Sequence, residues 1–246
     1  MKNRRAAHGE AYVPTTCEHW ANVATHGIAI WPSVLCFREL WRQCVSPVEA
    51  WVAVTYGAAT LGLFFTSTLY HLVFYLGHWE RLRFYCHLLD RATIYLFIAA
   101  SYTPWYTLRE TGTSLGAHMS WLVWVMALCG ITYQVIFHER YKLVEVCLYL
   151  LFGICPGLFL YLTVVDRSGL YMMAAGGLVY VVGVAFFKSD GLIPCAHAIW
   201  HVHVLIGAAF QYYAVRIYLY HEFRRSTDYS STLFLAGDEV LQREEL

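Results

Sequence analysis

The sequence predicts an all-α, multi-pass membrane protein in which seven transmembrane helices form one bundle and the N-terminus is cytoplasmic. Three observations support this fold class. Hydrophobic residues make up 59% of the 246 residues and charged residues only 14%, whereas a soluble domain usually contains about 25% charged residues. Apolar stretches of about 20 residues, the length that crosses a bilayer, recur along the chain. Lysine and arginine concentrate in alternate links between these stretches.

The apolar stretches define the predicted spans in order. They cover residues 24–41, 48–76, 87–108, 119–138, 143–163, 170–187 and 196–220. Because the links between them are short, neighbouring helices must be antiparallel, and 24–220 forms one transmembrane domain. Residues 1–23 form a polar cytoplasmic segment and 221–246 a polar tail. The N-terminus does not resemble a cleavable signal peptide, so the first span is expected to direct insertion.

The distribution of basic residues predicts the orientation of the bundle. If the N-terminus is cytoplasmic, the cytoplasmic segments contain nine basic residues, namely Lys2, Arg4, Arg5, Arg81, Arg83, Arg91, Arg140, Lys142 and Lys188. The opposite loops then contain four, namely Arg38, Arg42, Arg109 and Arg167. Cytoplasmic loops are enriched in Lys and Arg, so the excess favours a cytoplasmic N-terminus, although Arg216, Arg224 and Arg225 reduce it. This orientation is opposite to that of G-protein-coupled receptors and argues against that class.

The overall charge and the cysteines exclude several classes of function. The 17 basic and 17 acidic residues balance, and no basic stripe of the kind that binds phosphate backbones is present, so no nucleic-acid partner is expected. The eight cysteines are scattered and include no C-x-x-C pair. A disulfide framework and a cysteine-ligated zinc site are therefore not expected.

Polar residues in or beside the predicted spans mark the candidate site. An ionisable group in a span costs about 2.5–3.5 kcal/mol on insertion scales, so such groups are functional candidates. They fall at the start of the first, third and seventh helices and late in the second: Glu18, Asn22, His26, Ser67, His71, His87, Asp90, Arg91, His197 and His201. In a bundle of alternating helices these four positions lie at one membrane face, which is cytoplasmic in the predicted orientation.

The spacing of the histidines is compatible with a metal site. His197 and His201 are four residues apart and lie on one helical face. With a third histidine from a facing helix, such as His71, they would form the three-ligand site typical of catalytic zinc. Asp90 at the same depth could then be a general base. Imidazole ligands favour zinc without excluding other first-row metals.

Simpler explanations exist for each of these residues. The histidine pair could hydrogen-bond across helices, and Asp90–Arg91 could be a juxtamembrane charge pair. Ser67 is more typical of a hydroxyl bonded to its own helix than of a nucleophile. His203 lies off the face of the pair and is expected to pack or hydrogen-bond. The remaining histidines are expected on the solvated surface: His8, His19, His78, His118, His138 and His221.

Four motifs, in order, resemble those of the progestin and adiponectin receptor (PAQR) family and of bacterial hemolysin III proteins. They are Glu18-x-x-x-Asn22-x-x-Thr25-His26, Ser67-x-x-x-His71, His87-x-x-Asp90-Arg91 and Pro194-x-x-His197-x-x-x-His201. The runs at 97–105 and 186–202 look most like the monocyte-to-macrophage differentiation-associated branch. The resemblance covers about residues 15–220. The sequence lacks the long N-terminal domain of the adiponectin-receptor branch, so adiponectin binding is not expected.

The resemblance implies a zinc site near the cytoplasmic face, with His71, His197 and His201 as ligands, Asp90 beside a zinc-bound water and Ser67 next to the site. It also implies residence in Golgi membranes and a role in promoting Ras and kinase signalling, with a small GTPase or a kinase-pathway protein as cytoplasmic partner. The alternative function is a zinc-dependent intramembrane hydrolase of a lipid amide such as ceramide. A histidine-lined transporter is disfavoured, because the polar residues form no relay across the bilayer.

Overall fold

The computed structural model describes residues 3–5, 12–138 and 140–221, apart from the side chains of Ala117 and His221. Seven α-helices run through the described part of the chain: α1 (Thr16–Gln43), α2 (Pro47–Leu76), α3 (Glu80–Leu108), α4 (Ser114–Phe137), α5 (Lys142–Thr163), α6 (Leu170–Phe187) and α7 (Ala196–Val215). A π-helical turn (Arg216–His221) continues α7. No β-strand occurs among these residues. The all-α prediction is confirmed, while 222–246 of the predicted tail lie outside the described residues.

Five of the helices are long and apolar enough to cross a bilayer. They are α2, α5, α6, the part of α4 from His118 to Phe137, and α7 with its continuation to Tyr220. The other two, α1 and α3, have the length of a span but contain several charged side chains, such as Arg38 and Glu39 in α1 and Arg81 and Arg83 in α3. The chain is therefore an integral membrane protein, whereas the count of seven spans and the cytoplasmic N-terminus remain predictions.

The first helix begins earlier than the apolar pattern predicts. It starts at Thr16, because Thr15 and Glu18 form a capping box. The Glu18 main-chain N–H donates to Thr15 Oγ1 at 3.3 Å, and the Thr15 N–H donates to Glu18 Oε2 at 2.8 Å. These bonds satisfy main-chain groups that a helix start otherwise leaves without partners. Glu18 and Asn22 therefore lie in the first two turns of α1, and not ahead of it.

Close helix packing on one side of the bundle holds α2 and α7, the two helices that carry the candidate histidines. α1 packs on α2 and α7, and α6 packs along α7. A Cβ atom at Gly207 of α7 would lie 2.6 Å from the Tyr180 ring of α6. Only a residue without a side chain allows this approach, so the α6–α7 pair is tightly fitted.

The fifth helix packs on α4 and is also joined to α3 by polar contacts. The Tyr106 hydroxyl donates to the Pro156 carbonyl oxygen at 2.6 Å. Near the opposite end of α5, Arg91 forms a buried ion pair with Glu145. In contrast, α5 and α6 touch over only a short stretch. The space between these two helices and the α1–α2–α3–α7 group is a cavity.

Candidate metal centre

A cavity of about 1230 Å³ penetrates the bundle and is lined by all helices except α4. Its lining extends along α5 from Lys142 to Tyr161, which are nineteen positions apart, or about 28 Å at 1.5 Å per helical residue. Most of the lining is apolar. The polar residues gather at the end that contains the N-terminal segment and the α6–α7 link.

Three histidines meet on the wall of this cavity. One ring nitrogen from each of His71, His197 and His201 can be chosen so that all three lie within 4.8 Å of one another. The ring centroids of His71 are 5.1 Å from those of both His197 and His201, which are themselves 4.7 Å apart. The structure thus brings together, from α2 and α7, the three residues that the sequence analysis selected.

Asp190 orients the first histidine of α7. It lies in the α6–α7 link, and its Oδ2 is 3.3 Å from His197 Nδ1. An ionised carboxylate only accepts hydrogen bonds, so Nδ1 is the donor, and the neutral ring keeps its lone pair on Nε2. A carboxylate behind a ligating imidazole is the usual second partner in protein metal sites. Asp190 was not predicted as a site residue, although it precedes the pair in a short link.

Thr25 orients the second histidine of α7. Its Oγ1 is 2.8 Å from the Ala21 carbonyl oxygen, to which it donates, and 3.0 Å from His201 Nδ1. His201 also bonds to the main chain at Asn22. Because the Thr25 hydroxyl hydrogen is directed to the Ala21 carbonyl oxygen, Oγ1 accepts from His201 Nδ1, and the neutral ring keeps its lone pair on Nε2. Thr25 was part of a recognised motif, but its contact with His201 was not predicted.

His71 completes the cluster and is buried, with 3% of its surface exposed. Neither of its ring nitrogens has a hydrogen-bond partner within the described residues. Burying an imidazole without a partner is costly. A metal ion between the three rings would remove this cost, so the donor set and the lone His71 nitrogens together fit a metal such as zinc.

Asp90 and Ser67 lie beside the histidines as a bonded pair. The Ser67 side chain hydrogen-bonds to the Asp90 carboxylate, which is near His197. Both residues line the cavity. Arg91, by contrast, extends to α5 and pairs with Glu145, which also accepts a 2.8 Å bond from the Tyr149 hydroxyl. Arg91 is therefore not held by Asp90 alone, because it also pairs with Glu145 of α5.

The other candidate histidines lie around the cluster without joining it. The His26 ring stacks on His201 with centroids 3.7 Å apart, and His87 stacks on Tyr70 at 4.6 Å.

His203 Nδ1 bonds to the Ile199 carbonyl oxygen at 2.8 Å, which confirms its predicted hydrogen-bonding role. The surface prediction is wrong for His19, which is 8% exposed and packs edge-on against Phe74. His8 and the His221 side chain lie outside the described residues.

Glu18 connects the N-terminal segment to the start of α7. Its Oε1 accepts from the Cys195 main-chain N–H at 3.2 Å, and its Oε2 accepts from the Tyr12 hydroxyl at 2.9 Å. Burial and this bond raise the pKa of Tyr12 to about 12, so the phenol keeps its proton and remains a donor at neutral pH. Glu18 therefore anchors the main chain at Cys195, just before the turns of α7 that carry His197 and His201.

Comparison with known proteins places this site in a family. The family model described as "Haemolysin-III related" matches residues 15–212. The chain is 44% identical over 233 residues to the monocyte to macrophage differentiation factor of Homo sapiens, covering 93% of this chain and 94% of that protein. It is 32% identical over 210 residues to the hemolysin-3 homolog of Bacillus subtilis (strain 168), covering 83% and 95%. The chain belongs to the haemolysin-III-related family, also known as the PAQR family, of integral membrane proteins.

Proposed function

We propose that this protein is a zinc-dependent hydrolase that cleaves the amide bond of a lipid inside the membrane. The observation that carries the proposal is the placement of His71, His197 and His201, with nitrogens within 4.8 Å of one another, on the wall of a large apolar cavity. An apolar passage favours a lipid as the molecule that reaches the site.

The three histidines would hold the zinc ion. Two of them present an unprotonated Nε2, because Asp190 and Thr25 bond to their Nδ1 atoms. When bound, the ion would supply Lewis acidity for attack on a carbonyl group. Three protein ligands leave a coordination position for the reaction, as is usual for catalytic zinc.

Asp90 is the group of this chain placed to move a proton. Its carboxylate lines the cavity near His197 and is held by Ser67. In the hydrolysis, the carbonyl–nitrogen bond of the amide breaks, a hydroxyl group joins the carbonyl carbon, and a proton joins the leaving nitrogen. Asp90 would accept that proton from water and return it to the amine. Ser67 would orient the carboxylate and would not act as a nucleophile.

The test is turnover of a lipid amide by the purified full-length protein in lipid nanodiscs. Ceramides of several chain lengths would be supplied, and released fatty acid would be measured by mass spectrometry. We expect release that a chelator abolishes and added zinc restores. His71→Ala and Asp90→Asn should reduce it by at least about 100-fold, because each removes a required group.

His203→Ala is the matched control, since His203 is on the same helix and its ring bonds to the Ile199 carbonyl oxygen and not to the histidine cluster. It should retain zinc and turnover. If wild-type protein fully loaded with zinc releases no fatty acid from any lipid amide, the hydrolase proposal is wrong.

A second candidate is a signalling role in Golgi membranes, through a Ras-type GTPase or a kinase-pathway partner at the cytoplasmic face. It is favoured by the 44% identity to proteins whose name describes differentiation of monocytes to macrophages. In that case the zinc site would be structural. The N-terminal segment, tied to α7 through Glu18, would be the part available to a partner.

One pair of variants separates the two roles. Under the signalling role, Asp90→Ala would leave Ras-dependent kinase phosphorylation in cells unchanged, whereas scrambling residues 1–11 would reduce it. Protein level, Golgi location and zinc content are measured in parallel. Loss of phosphorylation with Asp90→Ala, at normal level and zinc content, would contradict a purely structural zinc site.

A further inference from the structure

We infer that the polar mouth of the cavity binds the phosphate group of an anionic lipid whose hydrocarbon chain occupies the apolar passage. This inference goes beyond the proposed hydrolysis, because it concerns which lipids bind and holds whether or not the bound lipid is cleaved. It depends on the charge of the mouth, the apolar lining beneath it and the distance between the two.

Basic side chains from three separate parts of the chain line the mouth. Arg5 comes from the N-terminal segment and Lys188 directly follows α6. Arg140 lies in the link before α5, and Lys142 is the first residue of α5. The Arg5 main chain passes close to Gly191 in the α6–α7 link, where an added Cβ atom would lie 2.6 Å from Arg5 Cα. These segments are distant in sequence, so the fold, and not one basic run, produces the positive mouth.

Three acidic residues near this end are bonded to other groups. Asp190 bonds to His197, and Asp90 bonds to Ser67 deeper in the cavity. Glu145 pairs with Arg91. Among the described residues that line the mouth, the basic side chains therefore exceed the acidic ones. Arginine and lysine are the residues that bind phosphate, through charge-assisted hydrogen bonds.

The passage below the mouth has the opposite character. Its walls carry apolar side chains such as Phe97, Ile98, Leu158, Met173 and Leu178. The mouth and the passage together extend for about 28 Å along α5, close to the roughly 30 Å of a bilayer's hydrocarbon core. Burying a methylene group contributes about 0.8 kcal/mol, so a ligand with a long chain gains affinity here that free phosphate cannot gain. This contrast selects a lipid and not an inorganic anion.

The mouth and the histidine cluster are adjacent. Lys188 is two residues from Asp190, which directly contacts His197. A lipid whose phosphate binds at the mouth would therefore place the bonds next to its headgroup at the depth of the cluster. In a phosphorylated sphingolipid the amide is close to the phosphate. With the phosphate at the mouth, the amide would lie at the histidine cluster and the hydrocarbon chain in the apolar passage.

The experiment compares two ligands that differ only in the phosphate. Full-length protein in phosphatidylcholine nanodiscs would be titrated with oleoyl lysophosphatidic acid and with monooleoylglycerol, and binding would be followed by native mass spectrometry. We expect the phosphate-bearing lipid to bind at least about tenfold more tightly, since charge-assisted bonds are the stronger class. Inorganic phosphate at equal concentration should displace little of it.

Basic residues also concentrate in cytoplasmic loops for reasons of membrane insertion, so a matched control is needed. The Arg140→Gln/Lys188→Gln double variant removes two charges from the mouth. The Arg81→Gln/Arg83→Gln variant removes two charges from the first turn of α3, which lies at the same end of the bundle; neither residue lines the cavity. The first should lose about tenfold in affinity for lysophosphatidic acid and little for monooleoylglycerol, and the second should lose neither.

Equal affinity for the two lipids, or an equal loss in both double variants, would overturn the inference. Displacement by inorganic phosphate as effective as by the lipid would assign the mouth to a free anion instead. His71→Ala should still bind lysophosphatidic acid, so that failure of the hydrolase proposal and failure of this inference are observed separately.

Discussion

The Thr25 hydroxyl oxygen lies 3.0 Å from His201 Nδ1 and thereby connects the first helix to the face of the seventh that carries His197 and His201. The contact fixes which nitrogen of His201 is available to a metal. A histidine in a membrane bundle would otherwise be able to present either nitrogen, so this bond is part of the site and not only of the helix packing.

Replacing Thr25 by valine should therefore weaken zinc binding about 10- to 100-fold, the usual cost of losing an outer partner of a metal ligand. The Kd would be measured by competition with a chromophoric chelator. Thr25→Ser keeps the hydroxyl and should restore the affinity. Thr60→Val is the matched control, because Thr60 bonds to the Tyr56 carbonyl oxygen of its own helix. Equal affinity in wild type and Thr25→Val would show that the contact does not orient the ligand.

Asp190 offers a graded test on the other histidine of α7. Asp190→Asn keeps an acceptor oxygen within reach of His197 Nδ1 but removes the charge, whereas Asp190→Ala removes both. Zinc affinity should fall in that order, with the alanine variant about 10- to 100-fold weaker than wild type. An asparagine variant that binds zinc more weakly than the alanine variant would contradict the assigned role.

The Arg91–Glu145 ion pair should matter to stability more than to chemistry. Removing one partner leaves a buried charge without compensation, which costs about 3–5 kcal/mol. We expect Glu145→Leu and Arg91→Met each to lower the thermal midpoint in detergent sharply. The double variant should be more stable than either single variant, because apolar side chains replace both charges. Additive losses would mean that the two residues act independently.

The contact between Gly207 and Tyr180 predicts a local steric limit. Gly207→Ala places a methyl group against the Tyr180 ring and should cost about 1–3 kcal/mol through overpacking. Gly62→Ala is the matched substitution, since no atom lies within 4 Å of its added Cβ. That variant should be neutral or stabilising, because alanine favours helix over glycine by about 0.5–1 kcal/mol. The thermal midpoint of each variant would be measured in the same detergent and compared with that of wild type.

Much of the architecture follows from the sequence because a bilayer constrains it strongly. Apolar runs and short links predict the helices and their alternation, and alternation places polar residues from distant segments at one end. The spacing of His197 and His201 then identifies a shared face. In contrast, the start of α1 was missed, since the capping residues Thr15 and Glu18 precede an apolar pattern that begins only later.

The partners of the site residues were harder to predict. The position of Asp190 depends on the path of the α6–α7 link, and the approach of Thr25 to His201 depends on how α1 is rotated against α7. Neither is encoded in hydrophobic periodicity. Glu145 had a signal that was not used: it is an acidic residue inside a predicted span, and the cost of inserting it implies a buried partner.

The short contact between α5 and α6 has a consequence for how ligands reach the site. Leu158 and Leu178 line the cavity, and 60% and 64% of their surface is accessible, as expected if the passage opens sideways to the surrounding lipid. Molecules dissolved in the bilayer then exchange by diffusion in two dimensions. Occupancy of the cavity follows the mole fraction of a lipid in the membrane, and a change in the composition of the host membrane is sufficient to change what the protein binds.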